Sequence, residues 1–193
     1  MIHKDKYIFC KKELLSQEEC KLIIDDFELK EKFKGPTTSY FGEFKGQPTV
    51  PFQEYGEWFY ESEGIDINKQ FWIEYLFDSL EEYKIEHPFL ASENMAAWRT
   101  NTIANIQKYI PNKYYKKEHC EDDSTNNRML AWMIYLNTVN EGGGTVWPQQ
   151  NVTTKAIAGD LYIWPAAWTH SHRGIVAPKE EKYIITGWSS FVT

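Results

Sequence analysis

The chain has 193 residues, a formal net charge of −7 and an aromatic share of 16%, with eight Trp, twelve Tyr and eleven Phe. The acidic balance argues against nucleic acid or an anionic membrane as the main partner, because both demand a basic footprint. No apolar run approaches the roughly 20 residues of a membrane span, and Met1-Ile2-His3-Lys4-Asp5-Lys6 lacks the apolar core of a signal peptide.

In chain order, Tyr7-Ile8-Phe9-Cys10 reads as a short strand. Ser16-Gln17-Glu18-Glu19 is a capping box, a hydroxyl N-cap with a Glu three residues on. It opens a helix that carries Cys20, Ile23, Ile24 and Phe27 at helical spacing and ends before Gly35-Pro36. Residues 35–64 are rich in Gly, Pro and aromatics (Tyr40, Phe41, Phe44, Phe52, Tyr55, Trp58, Phe59, Tyr60) and have no helical period. An irregular segment that packs over the core or faces substrate is expected there. A second helix is expected over roughly 68–86, with Phe71, Trp72, Tyr75, Leu76 and Leu80 as its buried stripe.

From Trp98 the pattern changes to short strands, at 98–109, 114–120, 128–137, 144–147, 151–156, 160–164, 171–176 and 182–192. Together these predict one domain, 1–193. A helical N-terminal part, roughly 1–97, packs on one face of a mainly β, double-sheet core, roughly 98–193. Cys10, Cys20 and Cys120 cannot all pair with one another, so reduced thiols and a cytoplasmic setting are expected. No feature of the sequence speaks to oligomeric state.

The chemistry centres on His119-Cys120-Glu121. In a strand, residues two apart share a face, so an imidazole and a carboxylate project together. Asp122 faces the other way, and Asp123 has the right parity but lies further along. His170-Ser171-His172 follows in a second strand-like stretch. Two imidazoles and one carboxylate make the facial triad of non-haem Fe(II) oxygenases, which leaves adjacent coordination positions open. The same donors would serve a zinc hydrolase, and a jelly-roll scaffold could equally carry a non-catalytic binding module.

The flanking motifs narrow the choice. Tyr109 and Tyr115 lead into His119. Tyr135-Leu136-Asn137 is followed by Glu141-Gly142-Gly143-Gly144-Thr145-Val146-Trp147-Pro148, and Gly159-Asp160-Leu161-Tyr162-Ile163-Trp164-Pro165 by His172, with Lys182 ten residues on and Trp188 six more. With the Leu15-Ser16-Gln17-Glu18-Glu19-Cys20 start, this series resembles the prolyl 4-hydroxylase branch of the 2-oxoglutarate-dependent dioxygenases. It is specific from Tyr109 to Trp188 and thin before residue 98.

The resemblance implies a double-stranded β-helix (jelly roll) with helices on one sheet. It implies Fe(II), 2-oxoglutarate and dioxygen, with His119, Glu121 and His172 on the metal. Lys182 would pair with the distal carboxylate of 2-oxoglutarate, Tyr135 would donate to the same group, and Thr186 would add a second hydroxyl. Tyr109 and Trp188 would line the site. Arg173, His170 and Arg128 are candidate substrate contacts. The implied reaction is hydroxylation of an unactivated C–H bond on a peptidyl proline or another protein side chain; a free amino acid or small molecule is the alternative. Two features depart from the simplest pattern. Glu121 stands where Asp is usual, and His170 and His172 share strand parity, the Lys spacing favouring His172 as ligand.

Overall fold

The computed structural model describes residues 7–29, 33–34, 59–61, 65–122 and 126–192. The capping box forms. Ser16 N donates to the Glu19 carboxylate at 2.8 Å, and Glu19 N donates back to Ser16 Oγ at 3.2 Å. It starts helix α1 (Gln17–Leu29), which buries Cys20, Ile23 and Phe27. The second helix begins later than its apolar pattern suggests. Asp66 accepts from Asn68 N and caps a 3-10 turn, Ile67–Lys69, before helix α2 runs Ile73–Glu86. That start resets the phase of the helix. Trp72, Ile73, Leu76, Leu80 and Tyr83 are buried, whereas Phe71 precedes the helix and is exposed, as is Tyr75. Most of the aromatic segment 35–64 lies outside the described residues, as does Asp123.

Strand β1 (Phe9–Lys11) is followed by β2 (Phe33–Lys34), β3 (Phe59–Glu61), β4 (Ile65–Asp66), β5 (Trp98–Thr100), β6 (Ile103–Tyr109) and β7 (Arg128–Tyr135). Then come β8 (Thr145–Trp147), β9 (Val152–Thr153), β10 (Leu161–Pro165), β11 (Arg173–Gly174) and β12 (Lys182–Phe191). The large sheet runs β1-β10-β7-β12-β6-β3-β2, with β4 on β6 and β5 on β12; the small sheet runs β11-β8-β9. Every pairing is antiparallel. The result is a mainly β jelly roll flanked by helices.

The large sheet is covered on both faces, which explains why β7 reads as an unbroken apolar run, Met129-Leu130-Ala131-Trp132-Met133-Ile134-Tyr135. One face holds Ala104, Ile106, Leu130, Trp132, Ile134, Leu161, Ile163, Tyr183 and Ile185 and packs on α1 and α2. The other holds Tyr109, Ala131, Met133, Tyr135, Tyr162, Trp164 and Ile184 and meets Trp147 of the small sheet. On β12 this second face carries Lys182, Ile184, Thr186 and Trp188 by strict alternation.

The turn into β8 needs glycine. Gly142 sits at φ +76°, and a Cβ there would fall 1.9 Å from Val176 O.

Three further expectations shift. The strand expected over 98–109 breaks into β5 and β6 around Asn101-Thr102, both of which pair with β12. Besides β1, where a strand was expected, the N-terminal part adds β2 and β3 to the other side of the large sheet. Residues 114–120 form no continuous strand. Tyr115 O accepts from Gly174 N at 2.9 Å and His119 bridges His172, but Glu121 N and Asp122 N already donate to Ala166 O at 3.0 Å. The segment crosses from the β11 side to the end of β10, so no single partner strand can build a ladder along it.

Candidate metal centre

His119 and His172 are joined directly through their backbones. His119 N donates to His172 O at 3.0 Å, and His172 N donates to His119 O at 2.8 Å. This one antiparallel bridge brings their rings to 4.5 Å between centroids. Glu121, two residues past His119, completes the cluster. One donor atom from each of the three residues lies within 4.8 Å of the others. Tyr115 packs on His119 at 4.2 Å, and Trp164 and Trp147 pack on His172 at 5.0 and 5.8 Å between ring centroids.

The tautomers follow from the backbone. His119 Nδ1 is 3.0 Å from Lys117 O and His172 Nδ1 is 3.1 Å from His170 O. A carbonyl oxygen only accepts, so each Nδ1 carries the proton and each Nε2 presents a lone pair. Those two Nε2 atoms stand 3.4 and 3.3 Å from Glu121 Oε1. Three acceptors therefore converge with no proton to bridge them, an arrangement that a divalent cation resolves. Without a cation, protons on the imidazoles take its place: burial raises the Glu121 pKa, but hydrogen bonds and charge from protonated His119 and His172 hold the carboxyl well below the usual range. It is anionic, as a ligand must be.

The outer oxygen of the same carboxylate is held separately. Trp188 Nε1 donates to Glu121 Oε2 at 2.8 Å, and Arg128 Nη1 lies 3.4 Å from it. The Arg128 guanidinium also stacks on the Trp188 indole, 3.7 Å from its centroid. Arg128, expected to contact substrate, lies against Glu121 and the Trp188 ring. Trp188, expected to line the site, makes a specific hydrogen bond within it.

Lys182 is buried, and its register partner on β6 is Tyr109. Its Nζ lies 4.5 Å from the centroid of the Tyr109 ring, whose hydroxyl donates to Gln107 Oε1 at 2.9 Å. No carboxylate among the described residues pairs with Lys182, and burial pulls its pKa down to about 8. An uncompensated buried cation is costly, so this one suits an anionic ligand.

Two hydroxyls belong to the same sheet face. Thr186 Oγ1 is shielded and has no hydrogen-bond partner among the described residues. Tyr135 is fully buried, its hydroxyl 2.8 Å from Thr145 Oγ1 and 3.1 Å from Thr154 Oγ1. Burial pushes its pKa up to about 12, so it stays a neutral donor.

The other two candidate substrate contacts have their own surroundings. His170 closes a 3-10 turn, Trp168–His170, so the shared strand parity with His172 does not exist; its ring meets Tyr7 edge-on at 6.2 Å and its Nδ1 lies 3.0 Å from Thr169 Oγ1. Arg173 alternates with His172, is exposed, and points to the opposite face. Sequence reasoning missed Thr145, Thr154, Trp147, Trp164 and Gln107. Parity could have found Gln107, two residues from Tyr109, and the Thr145–Trp147 pair on β8.

Residues 104–190 match the model of the 2OG-Fe(II) oxygenase superfamily. A candidate prolyl 4-hydroxylase of Acanthamoeba polyphaga mimivirus is 30% identical over 102 residues, which cover 43% of this chain and 42% of that protein. The viral collagen prolyl hydroxylase of Paramecium bursaria Chlorella virus-1, solved with 2OG, superposes with a TM-score of 0.66 at 18% identity, covering 97% of this chain and 98% of that one. A Trichoplax adhaerens prolyl hydroxylase, in complex with a hypoxia inducible factor peptide fragment, gives a TM-score of 0.66 at 14% identity, covering 97% of this chain and 84% of that one. No helix among the described residues is long and apolar enough to cross a membrane. The 104–190 stretch that resembles this superfamily is the part of the chain that holds the triad, Lys182 and Trp188.

Proposed function

We propose that the protein is an Fe(II)- and 2-oxoglutarate-dependent dioxygenase that hydroxylates an unactivated C–H bond of a peptidyl proline or another protein side chain. One observation carries the reading: the chain has both three converging acceptors and a buried ammonium, Lys182, that no carboxylate among the described residues pairs with. A divalent cation answers the first, and a dicarboxylate that reaches inward answers the second. A zinc hydrolase or a non-catalytic module would leave Lys182 without a role.

Fe(II) held by His119, Glu121 and His172 would supply the oxidising chemistry with dioxygen, with 2-oxoglutarate as reductant leaving as succinate and carbon dioxide. The chain's own residues do the rest. Lys182 pairs with the distal carboxylate of the co-substrate, and Tyr135, kept as a neutral phenol, turns its hydroxyl from Thr145 or Thr154 toward it. Thr186 offers the further hydroxyl on the same strand face. Trp147 and Trp164 wall His172 and keep water from the reacting atoms. Peptidyl proline is favoured over a free amino acid or small molecule by the prolyl hydroxylase character of the mimivirus relative and of the structural neighbours.

The test is an anaerobic titration of metal-free protein with Fe(II) and then 2-oxoglutarate, following the visible iron-to-keto-acid charge-transfer band. Succinate release is then assayed with proline-containing peptides and with free proline. A band with peptide-stimulated succinate supports the proposal. A folded protein that develops no band overturns it, and succinate stimulated only by the free amino acid moves the substrate to the small-molecule class.

A further inference from the structure

The carboxylate ligand is one methylene longer than the family's usual Asp, which gives it an extra torsion and lets both oxygens swing toward the cation. In this structure it does not. Oε1 faces His119 Nε2 and His172 Nε2 at 3.4 and 3.3 Å. Oε2 accepts from Trp188 Nε1 at 2.8 Å and faces Arg128 Nη1 at 3.4 Å. The backbone of the same residue is pinned too: Glu121 N donates to Ala166 O at 3.0 Å, and Glu121 O accepts from Asn126 Nδ2 at 3.1 Å and Arg128 Nη1 at 3.4 Å.

We infer that Trp188 and Arg128 are positioning residues that hold the outer oxygen of Glu121, so that the longer carboxylate offers one oxygen to the metal from the place an Asp would occupy. This rests on the metal-site reading above.

The residue types suit the task. An indole N–H is only a donor and is no metal ligand, so Trp188 can hold the carboxylate without competing for the cation. The guanidinium stays protonated at any working pH, and its flat face lies on the indole at 3.7 Å, so each of the two fixes the other. Arg128 and Glu121 are both largely shielded, with side chains 20% and 15% exposed. Trp188 also shares a strand face with Lys182, so β12 carries both the co-substrate's cation and the ligand's clamp.

The experiment has two readouts. In metal-free, 15N-labelled protein, the Trp188 indole N–H resonance is expected to shift and exchange faster in Glu121→Ala, with the other indole signals in place. Mn(II) affinity is then measured in a cycle of Trp188→Phe, Glu121→Asp and the double variant, with Arg128→Met alongside. Trp188→Phe keeps an aromatic face for Arg128 and removes the N–H donor, so it is expected to weaken Mn(II) binding at least tenfold. In the Glu121→Asp background, where the shorter chain no longer spans from the metal to the indole, the same change is expected to cost under twofold. Wild-type affinity in Trp188→Phe and Arg128→Met, or equal losses in both backgrounds, overturns the inference in favour of plain packing. An indole that responds to Glu121→Ala in a protein that binds no Mn(II) or Fe(II) overturns the metal reading instead, and the inference with it.

Discussion

Lys182 Nζ lies 4.5 Å above the ring of Tyr109, its cross-strand neighbour, and no carboxylate among the described residues comes to meet it. The aromatic face offsets part of the cost of burying the charge, and the remainder is strain held for a ligand. Lys182→Met, with a similar stem and no charge, is therefore expected to stabilise the ligand-free protein at pH 7 by about 1–3 kcal/mol. The same change should weaken 2-oxoglutarate binding by about 100-fold or more. Thermal unfolding and a charge-transfer titration on the two proteins check both halves; a Met variant that is less stable and still binds normally removes Lys182 from the site.

The pH dependence follows from the depressed pKa of about 8, against the ordinary 10.5. Below pH 8 the ammonium is charged in both folded and unfolded protein, and its burial penalty is constant. Between about pH 8 and 10.5 the unfolded chain binds the extra proton, so the ligand-free fold gains stability as pH rises, relative to Lys182→Met. Binding of a dicarboxylate needs the charged form. The 2-oxoglutarate Kd is expected to be flat below pH 8 and to climb about tenfold per unit above it. A binding isotherm series from pH 6.5 to 9.5 reads this directly, and a slope that persists in Lys182→Met would assign it to another group.

The two histidines near the distal end of the site separate cleanly. His172→Ala removes a lone pair from the convergence point and is expected to lower Fe(II) or Mn(II) affinity by at least 100-fold, as is His119→Ala. His170→Ala is expected to retain metal binding within a few-fold, because its ring faces Tyr7 and Thr169. Equilibrium dialysis with Mn(II) distinguishes them, and metal loss in His170→Ala alone would reverse the assignment.

Gly187 tests the packing behind the site. Its neighbours on β12 are site residues, but a Cβ at 187 would meet Trp132 Cζ2 at 2.1 Å on the helix-covered face. Trp132 is fully buried between Trp72 and the sheet, so it has little room to move. Gly187→Ala is expected to destabilise by about 1–3 kcal/mol, measured by denaturant unfolding; a neutral effect would mean that the indole can retreat.

Ser16→Ala breaks the reciprocal cap with Glu19 and is expected to cost about 1 kcal/mol in denaturant unfolding, with metal affinity unchanged.

Sequence alone determined a good deal of this protein. Capping, strand parity and motif spacing are local properties, written in residues a few positions apart. They sufficed for α1, for most of the strands, and for a motif series whose spacing nominates Lys182 ten residues after His172. The start of α2 escaped because Asp66 caps a 3-10 turn first, which a periodicity count does not register.

Only tertiary structure decided the relationships between distant segments. The backbone bridge from His119 to His172 replaced the strand expected at 114–120, and the 3-10 turn at 168–170 removed the strand parity of His170 with His172. Arg128 and Trp188 meet at the outer oxygen of Glu121, a contact that no local pattern shows. Each of these depends on which side chains meet across strands far apart in the chain. That is set by sheet order and register, by the two-sided burial of the large sheet, and by where a crossing segment finds its backbone partners.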